Sequence, residues 1–269
     1  MHHSTSFVFD TSRISPRASR SAEAKVFAAT HALHIFHVDA IYTFIPKNAC
    51  STMRYSLALH NGYIQGEKEF DWIHANNLTL AVRDKKVMFS PSYSFVILRC
   101  PFTRLLSVFF DKFISEKPSA KKFIREFMPD KQLGDLSFQD FIFRICELES
   151  HQLNRHWRPQ IDFLLYHTYD RYFCLENMRH AIETLEKDIG FEVHDTRHLS
   201  GHETSSRLGK IQIDQPWKLP ISSLKQHTNA LPGSKSMYSK ELIALVSQYY
   251  REDVEIYSDK FGLEDLLFS

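Results

Sequence analysis

The apolar positions of this chain fall into two short, nearly unbroken runs and several longer periodic ones. Residues 41–45 (Ile-Tyr-Thr-Phe-Ile) and 95–98 (Phe-Val-Ile-Leu) are apolar or nearly so throughout, the pattern of strands buried on both faces. Each run leads through a turn into a stretch with helical spacing. The first such helix spans residues 52–60 and is stopped by Asn61-Gly62. The second is opened by Pro101, whose missing N–H costs nothing at a first helical position, and runs to about residue 115. Two buried strands, each followed by a helix, predict a parallel sheet covered on both faces. Residues 34–38 are expected to pair with 41–45 about a turn at Asp39-Ala40.

Further helices are expected over residues 21–33, 71–83 and 177–188, the last ended by Gly190, with a short strand over 172–175. Ser137 and Asp140 read as an N-cap and a first-turn acid opening a helix to about residue 149. The longest helical pattern covers 239–261 and closes at Gly262, whereas 191–236 reads as loops. Residues 1–20, rich in Ser and Arg, read as a loose arm. The expected fold is α/β: a single domain with a central parallel β-sheet flanked by helices. Residues 1–33 form an N-terminal arm and helix, and 34–269 the domain proper.

Composition narrows the function classes. The chain has 269 residues, 43% of them hydrophobic, enough for a sizeable core. Lys and Arg number 33 against 32 Asp and Glu, so any anion site must be local and a general nucleic-acid binder is not expected. No apolar run approaches the roughly 18 residues of a membrane span. Residues 1–25 hold no apolar core of the roughly 7–15 residues a secretory signal needs. The four cysteines, Cys50, Cys100, Cys146 and Cys174, form no CxxC pair. These features predict reduced thiols in a cytoplasmic protein without an integral membrane segment.

The chemistry concentrates where the two buried strands end. After the first comes Pro46-Lys47-Asn48-Ala49-Cys50-Ser51-Thr52. A helix N-terminus presents unpaired N–H groups and the positive end of its dipole, where a phosphate fits. Lys47 adds a mobile charge, and Ser51 and Thr52 add hydroxyl donors. The small Ala49 and Cys50 let the backbone approach a ligand. The segment is not a Walker P-loop: GxxxxGK[ST] is absent, and no glycine lies between 46 and 52. The second strand ends at Arg99, a permanent cation whose fork suits bidentate contact with phosphate. Arg104 reads either as part of this edge or as a structural ion pair with Asp111, and Ser107 as a phosphate ligand or a solvated helix serine. Lys117, Lys121, Lys122, Arg125 and Lys131 read as a solvated face or as steering for an anionic acceptor.

These residues resemble a known family. Pro46-Lys47-Asn48-Ala49-Cys50-Ser51 is similar to the 5′-phosphosulfate loop of the Golgi-type carbohydrate sulfotransferases. Arg99-Cys100-Pro101-Phe102-Thr103-Arg104-Leu105-Leu106-Ser107 is similar to their 3′-phosphate segment. His156-Trp157-Arg158-Pro159-Gln160, Leu175-Glu176-Asn177 and Tyr249-Tyr250-Arg251-Glu252-Asp253 continue the likeness, which covers roughly residues 35–262. Ser51 replaces a common Thr and Cys100 a common acid, and the membrane anchor of Golgi members is not seen, so a soluble relative is expected.

The resemblance implies a P-loop-like nucleotide-binding fold and transfer of a sulfuryl group from 3′-phosphoadenosine 5′-phosphosulfate (PAPS) to a hydroxyl or amine of a small-molecule or glycan acceptor, without a metal. Lys47 would neutralise the leaving oxygen. Lys47, Asn48, Ala49, Cys50, Ser51 and Thr52 would hold the 5′ end, Arg99 and Ser107 the 3′-phosphate. Ser205 and Ser206, in a late loop, would contact phosphate or ribose. The base is expected among the 15 histidines. His74, between the two loops, is the first choice, against a plain helix-surface role. His156 is the second, with Trp157 as either a sugar-stacking wall or a buried partner. His194, His198 and His202 are spaced by four but flank Gly201, and no metal site is expected. Two other classes stay open on the residues alone: a nucleotide-dependent kinase with a degenerate P-loop, and a non-catalytic nucleotide- or glycan-binding module. The sequence leaves the oligomeric state open.

Overall fold

In a computed structural model of the protein we describe residues 11–200, 208–227 and 230–268. They fall into two compact units. One comprises the chain up to Leu98 together with Gln160–Leu199; the other comprises Arg99–Pro159 and the chain from residue 200 onward.

The first unit holds a four-stranded sheet in the order β1 (Ala32–Ile35), β2 (Ala40–Thr43), β3 (Tyr93–Leu98), β4 (Arg171–Cys174). β1 is antiparallel to β2, and the other two pairings are parallel. The expected α/β fold with a mostly parallel sheet is therefore present. β1 starts two residues before the sequence places it, because Asp39 takes a left-handed conformation (φ 50°) after a 3-10 turn and sets the register there. Helix α1 (Ala22–Thr30) correspondingly ends early. On one sheet face Tyr42, Phe95, Ile97 and Phe173 pack with Met53, Leu57 and Ala58 of α2 (Cys50–His60) and with Ala181 and Leu185 of α9 (Met178–Ile189). On the other face Thr43 is fully buried and its hydroxyl meets the Tyr169 hydroxyl at 2.7 Å. Gly190 ends α9 in the left-handed region (φ 62°), as its sequence predicts.

The helix expected over 71–83 is broken into α3 (Trp72–Ala75) and α4 (Asn77–Leu80). The buried Arg54 of α2 explains the break. Its guanidinium takes the Ile73 carbonyl (3.0 Å) and Asn77 Oδ1 (3.2 Å), so that carbonyl is drawn to a side chain at the point where the helix stops. Beyond it the chain joins the edge of β1 through Leu33 and Ala81, and α5 (Lys85–Phe89) leads into β3.

The second unit begins where β3 runs out. α6 (Pro101–Val108) passes into a π-helical turn, Phe109–Ile114, rather than continuing as α-helix to residue 115. α7 (Pro118–Phe127) starts at a proline, and α8 (Phe138–Cys146) carries the expected cap as a full capping box between Ser137 and Asp140. Phe109, Phe113, Phe123, Phe138 and Phe141 form the core of this unit, with Trp157 packed against Phe113, Phe123 and Phe141. Trp157 is 1% exposed, so it is a core residue and not a wall against which a sugar could stack.

The C-terminal pattern forms two helices, Lys240–Tyr249 and Arg251–Phe261, instead of one. The reason lies at the junction, where the Tyr249 hydroxyl donates to the Leu148 carbonyl and the Tyr250 hydroxyl to the Trp157 carbonyl, both at 2.6 Å. Two short strands, Leu208–Ile211 and Leu231–Pro232, pair within the region read as loops. No helix among the described residues is long and apolar enough to cross a membrane.

Candidate active site

The parallel pairing of β2 with β3 puts the exit of β2 at the C-terminal end of β3. There residues 44–49 make a tight turn with two non-glycine residues in the left-handed region, Lys47 (φ 75°) and Ala49 (φ 53°). Such conformations cost on the order of 1–3 kcal/mol each and persist only where the surroundings enforce them. The enforcing contact is Asn48. Its side chain is fully buried, and its amide nitrogen donates to the Ile97 carbonyl of β3 (2.9 Å) and to Gln160 Oε1 (2.7 Å). Asn48 thus bolts the turn to the sheet, and its amide nitrogen is committed to protein oxygens.

Helix α2 starts directly after Ala49, and no side chain caps its N-terminus. Its first-turn N–H groups therefore lack the usual internal acceptor, and the positive end of the dipole faces the turn. Lys47, Ala49, Cys50, Ser51 and Thr52 are all half-buried around this end. Residues 44–54 contain no carboxylate. The segment itself brings N–H and hydroxyl donors and a positive charge and no acid, which suits a phosphate or phosphosulfate. Tyr42 lies fully buried in the strand leading to this turn, and burial raises its phenol well above its ordinary value, so it stays neutral and is no base.

Two residues of this unit went unnoticed in the sequence. Arg54 ties α2 to the α3–α4 junction and lies over the Phe44 ring at 4.7 Å. It thereby holds the backbone next to His74 against the second turn of α2. Thr196, fully buried, places its hydroxyl 2.9 Å from that of Thr52. Nothing in the sequence pattern near residue 196 marks it, since the surrounding stretch is without periodicity. His74 itself is exposed on α3, with its ring edge-on to Phe70 at 5.5 Å.

In the second unit Arg99 stands between β3 and α6, half-buried. Its Nε donates to Thr103 Oγ1 (3.1 Å), whose hydroxyl in turn donates to the Cys100 carbonyl (3.1 Å). This pair fixes the root of the guanidinium at the start of α6, a helix that also has no side-chain cap. Ser107 is half-buried in the second turn. Arg104 serves the fold, since it is 1% exposed and donates to the carbonyls of Arg158 (2.8 Å) and Arg155 (3.4 Å). The buried Cys100 accepts from the Leu267 N–H through sulfur (3.3 Å). His156 is half-buried, with Nδ1 2.7 Å from Asn154 Oδ1.

Ser205 and Ser206 lie outside the described residues, as does His202. His194 lies beside Glu192 and His198 beside Glu67, and among the described residues no cluster of three or more His, Cys, Asp or Glu side chains could hold a metal ion.

Comparison with known proteins gives one positive result. A family model described as the sulfotransferase family matches residues 37–258. Neither a curated protein nor a solved structure matches the chain.

Proposed function

The chain belongs to the sulfotransferase family, so transfer of a sulfuryl group from PAPS is its reaction class, and on that premise we propose which residues carry it and what accepts the group. The observation that carries the assignment is the turn at residues 46–49. Two left-handed residues, a buried Asn48 bolt and an uncapped eleven-residue helix converge on Lys47, in a segment, residues 44–54, whose own sequence holds no acid.

In this reading the first-turn N–H groups of α2 with the hydroxyls of Ser51 and Thr52 bind the 5′-phosphate end. Lys47 sits where negative charge grows on the bridging oxygen as its bond to sulfur breaks. Arg99, held at its Nε by Thr103, and Ser107 bind the 3′-phosphate. The acceptor oxygen forms the new bond to sulfur in line with the departing oxygen, and a histidine takes its proton. His74 is the base, because Arg54 anchors its neighbouring carbonyl to α2. His156 is the second choice; its Nδ1 contact with Asn154 fixes the orientation of the ring. Catalysis of this kind is positioning and charge stabilisation. The acceptor is a carbohydrate or similar hydroxyl compound, a reading supported by the likeness of the 46–51 and 99–107 segments to carbohydrate sulfotransferases.

The test is transfer of radiolabelled sulfate from PAPS to a panel of glycans, lipids and small alcohols. Lys47→Ala is expected to lower the rate by roughly a hundredfold or more, the usual cost of losing one preorganised charge-stabilising donor. Equal transfer by both proteins would remove Lys47 from the chemistry.

A further inference from the structure

In the first unit the chain after α9 returns along α2, from its last turn to its first. Phe191 is buried in the core, and its N–H donates to the Leu185 carbonyl. The His194 N–H donates to Ser56 Oγ (2.9 Å), and that hydroxyl donates its own proton to the Thr52 carbonyl (2.9 Å). Two residues later Thr196 Oγ1 meets Thr52 Oγ1 at 2.9 Å. This segment therefore ends on the hydroxyl that the functional reading assigns to the 5′-phosphate.

A hydroxyl has one proton to give and two lone pairs to receive with. Of the two threonine hydroxyls, only one can donate to the other. A phosphate accepts and cannot donate, so Thr52 can serve it only by turning its proton toward it. The proton between the threonines must then come from Thr196. Thr196 is 1% exposed, and burial removes water as a competing acceptor for that proton. Donation into Thr52 also polarises its O–H and strengthens the bond it makes in turn.

We propose that Thr196 is a positioning residue for co-substrate binding, orienting the Thr52 hydroxyl so that its proton points to the 5′-phosphate end. The proposal rests on the reading that Thr52 touches that end. Thr196 itself need not touch the ligand.

The experiment titrates adenosine 3′,5′-bisphosphate and, separately, adenosine 3′-phosphate by calorimetry into wild type, Thr196→Val, Thr196→Ser, Thr52→Val and the Thr52→Val/Thr196→Val double variant. Thr196→Val keeps the volume and loses the donor. It is expected to weaken the bisphosphate about fivefold, the worth of one ordinary hydrogen bond, and to leave adenosine 3′-phosphate unchanged. Thr196→Ser should bind as wild type, and in the Thr52→Val background the second substitution should add nothing. Should Thr196→Val not fold, Thr196→Cys, a feeble donor of similar size, carries the same comparison. Wild-type bisphosphate affinity in Thr196→Val beside a weakened Thr52→Val overturns the proposal, as does equal weakening of both ligands, which marks a merely structural residue. Wild-type affinity in Thr52→Val overturns the reading beneath it as well.

Discussion

Lys47 and Ala49 adopt a backbone conformation that favours glycine, yet neither is glycine. The turn is therefore held by its neighbours, and Asn48 is the chief of these. Its two donated hydrogen bonds are buried, so Asn48→Ala leaves the Ile97 carbonyl without that partner and is expected to cost about 1–3 kcal/mol of stability. The same substitution should weaken adenosine 3′,5′-bisphosphate binding, because the turn relaxes from its strained form. Denaturant unfolding and calorimetry on the one variant check both. Unchanged ligand affinity with reduced stability would make Asn48 a fold residue only. At this scale the sequence exposed the charged and hydroxylated residues, since Lys47, Ser51 and Arg99 declare their chemistry by type. It did not expose Asn48 as a bolt, Arg54 as an anchor or Thr103 as the holder of Arg99. Those roles depend on partners distant in the chain or on a geometry that the residue type does not state.

Among the elements, α2 carries most of the first unit's functional geometry. Its N-terminus faces the turn at residues 46–49, and its last residue, His60, meets two further histidine rings. His60 stacks on the exposed His37 at 5.0 Å and lies 6.3 Å from His194, while its Nε2 donates to the Glu192 carbonyl (3.1 Å). Burial holds the His60 imidazole below its ordinary value; His37 and His194 push the same way, and the Glu192 carbonyl and carboxylate oppose them. A lowered histidine favours the folded state above the unfolded value near pH 6.5, and that contribution is lost as pH falls through the folded value. The thermal unfolding midpoint of wild type should accordingly fall as pH drops below about 6.5. His60→Gln, which keeps a donor toward Glu192, should show a shallower loss. An equal slope in the two proteins would remove His60 from the titration. β2, β3, β4, α2, α8 and α9 were legible from apolar runs and caps, because those signals are local. The breaks at Asn76 and Tyr250 were not, because Arg54 and the two tyrosine hydroxyls that cause them act across the fold.

For the molecule as a whole, near balance of charge makes the proposed phosphate sites matters of local design rather than of a general field. The family was readable because two strand-to-helix junctions, about fifty residues apart, each carry a fixed set of donors. The acceptor was not, because specificity resides in loops that hold no periodic signal. A kinase of P-loop type would need a magnesium nucleotide, whereas the proposed reading expects a 3′-phosphorylated nucleotide to bind without a divalent ion. The most direct measurement is a calorimetric titration of adenosine 3′,5′-bisphosphate and of ATP into wild type and Lys47→Ala, each with chelator and with magnesium. The bisphosphate should bind wild type in chelator, ATP should bind far more weakly under both conditions, and Lys47→Ala should lose most of the bisphosphate affinity. Tighter binding of ATP, a magnesium requirement for the bisphosphate, or wild-type affinity in Lys47→Ala would contradict the account.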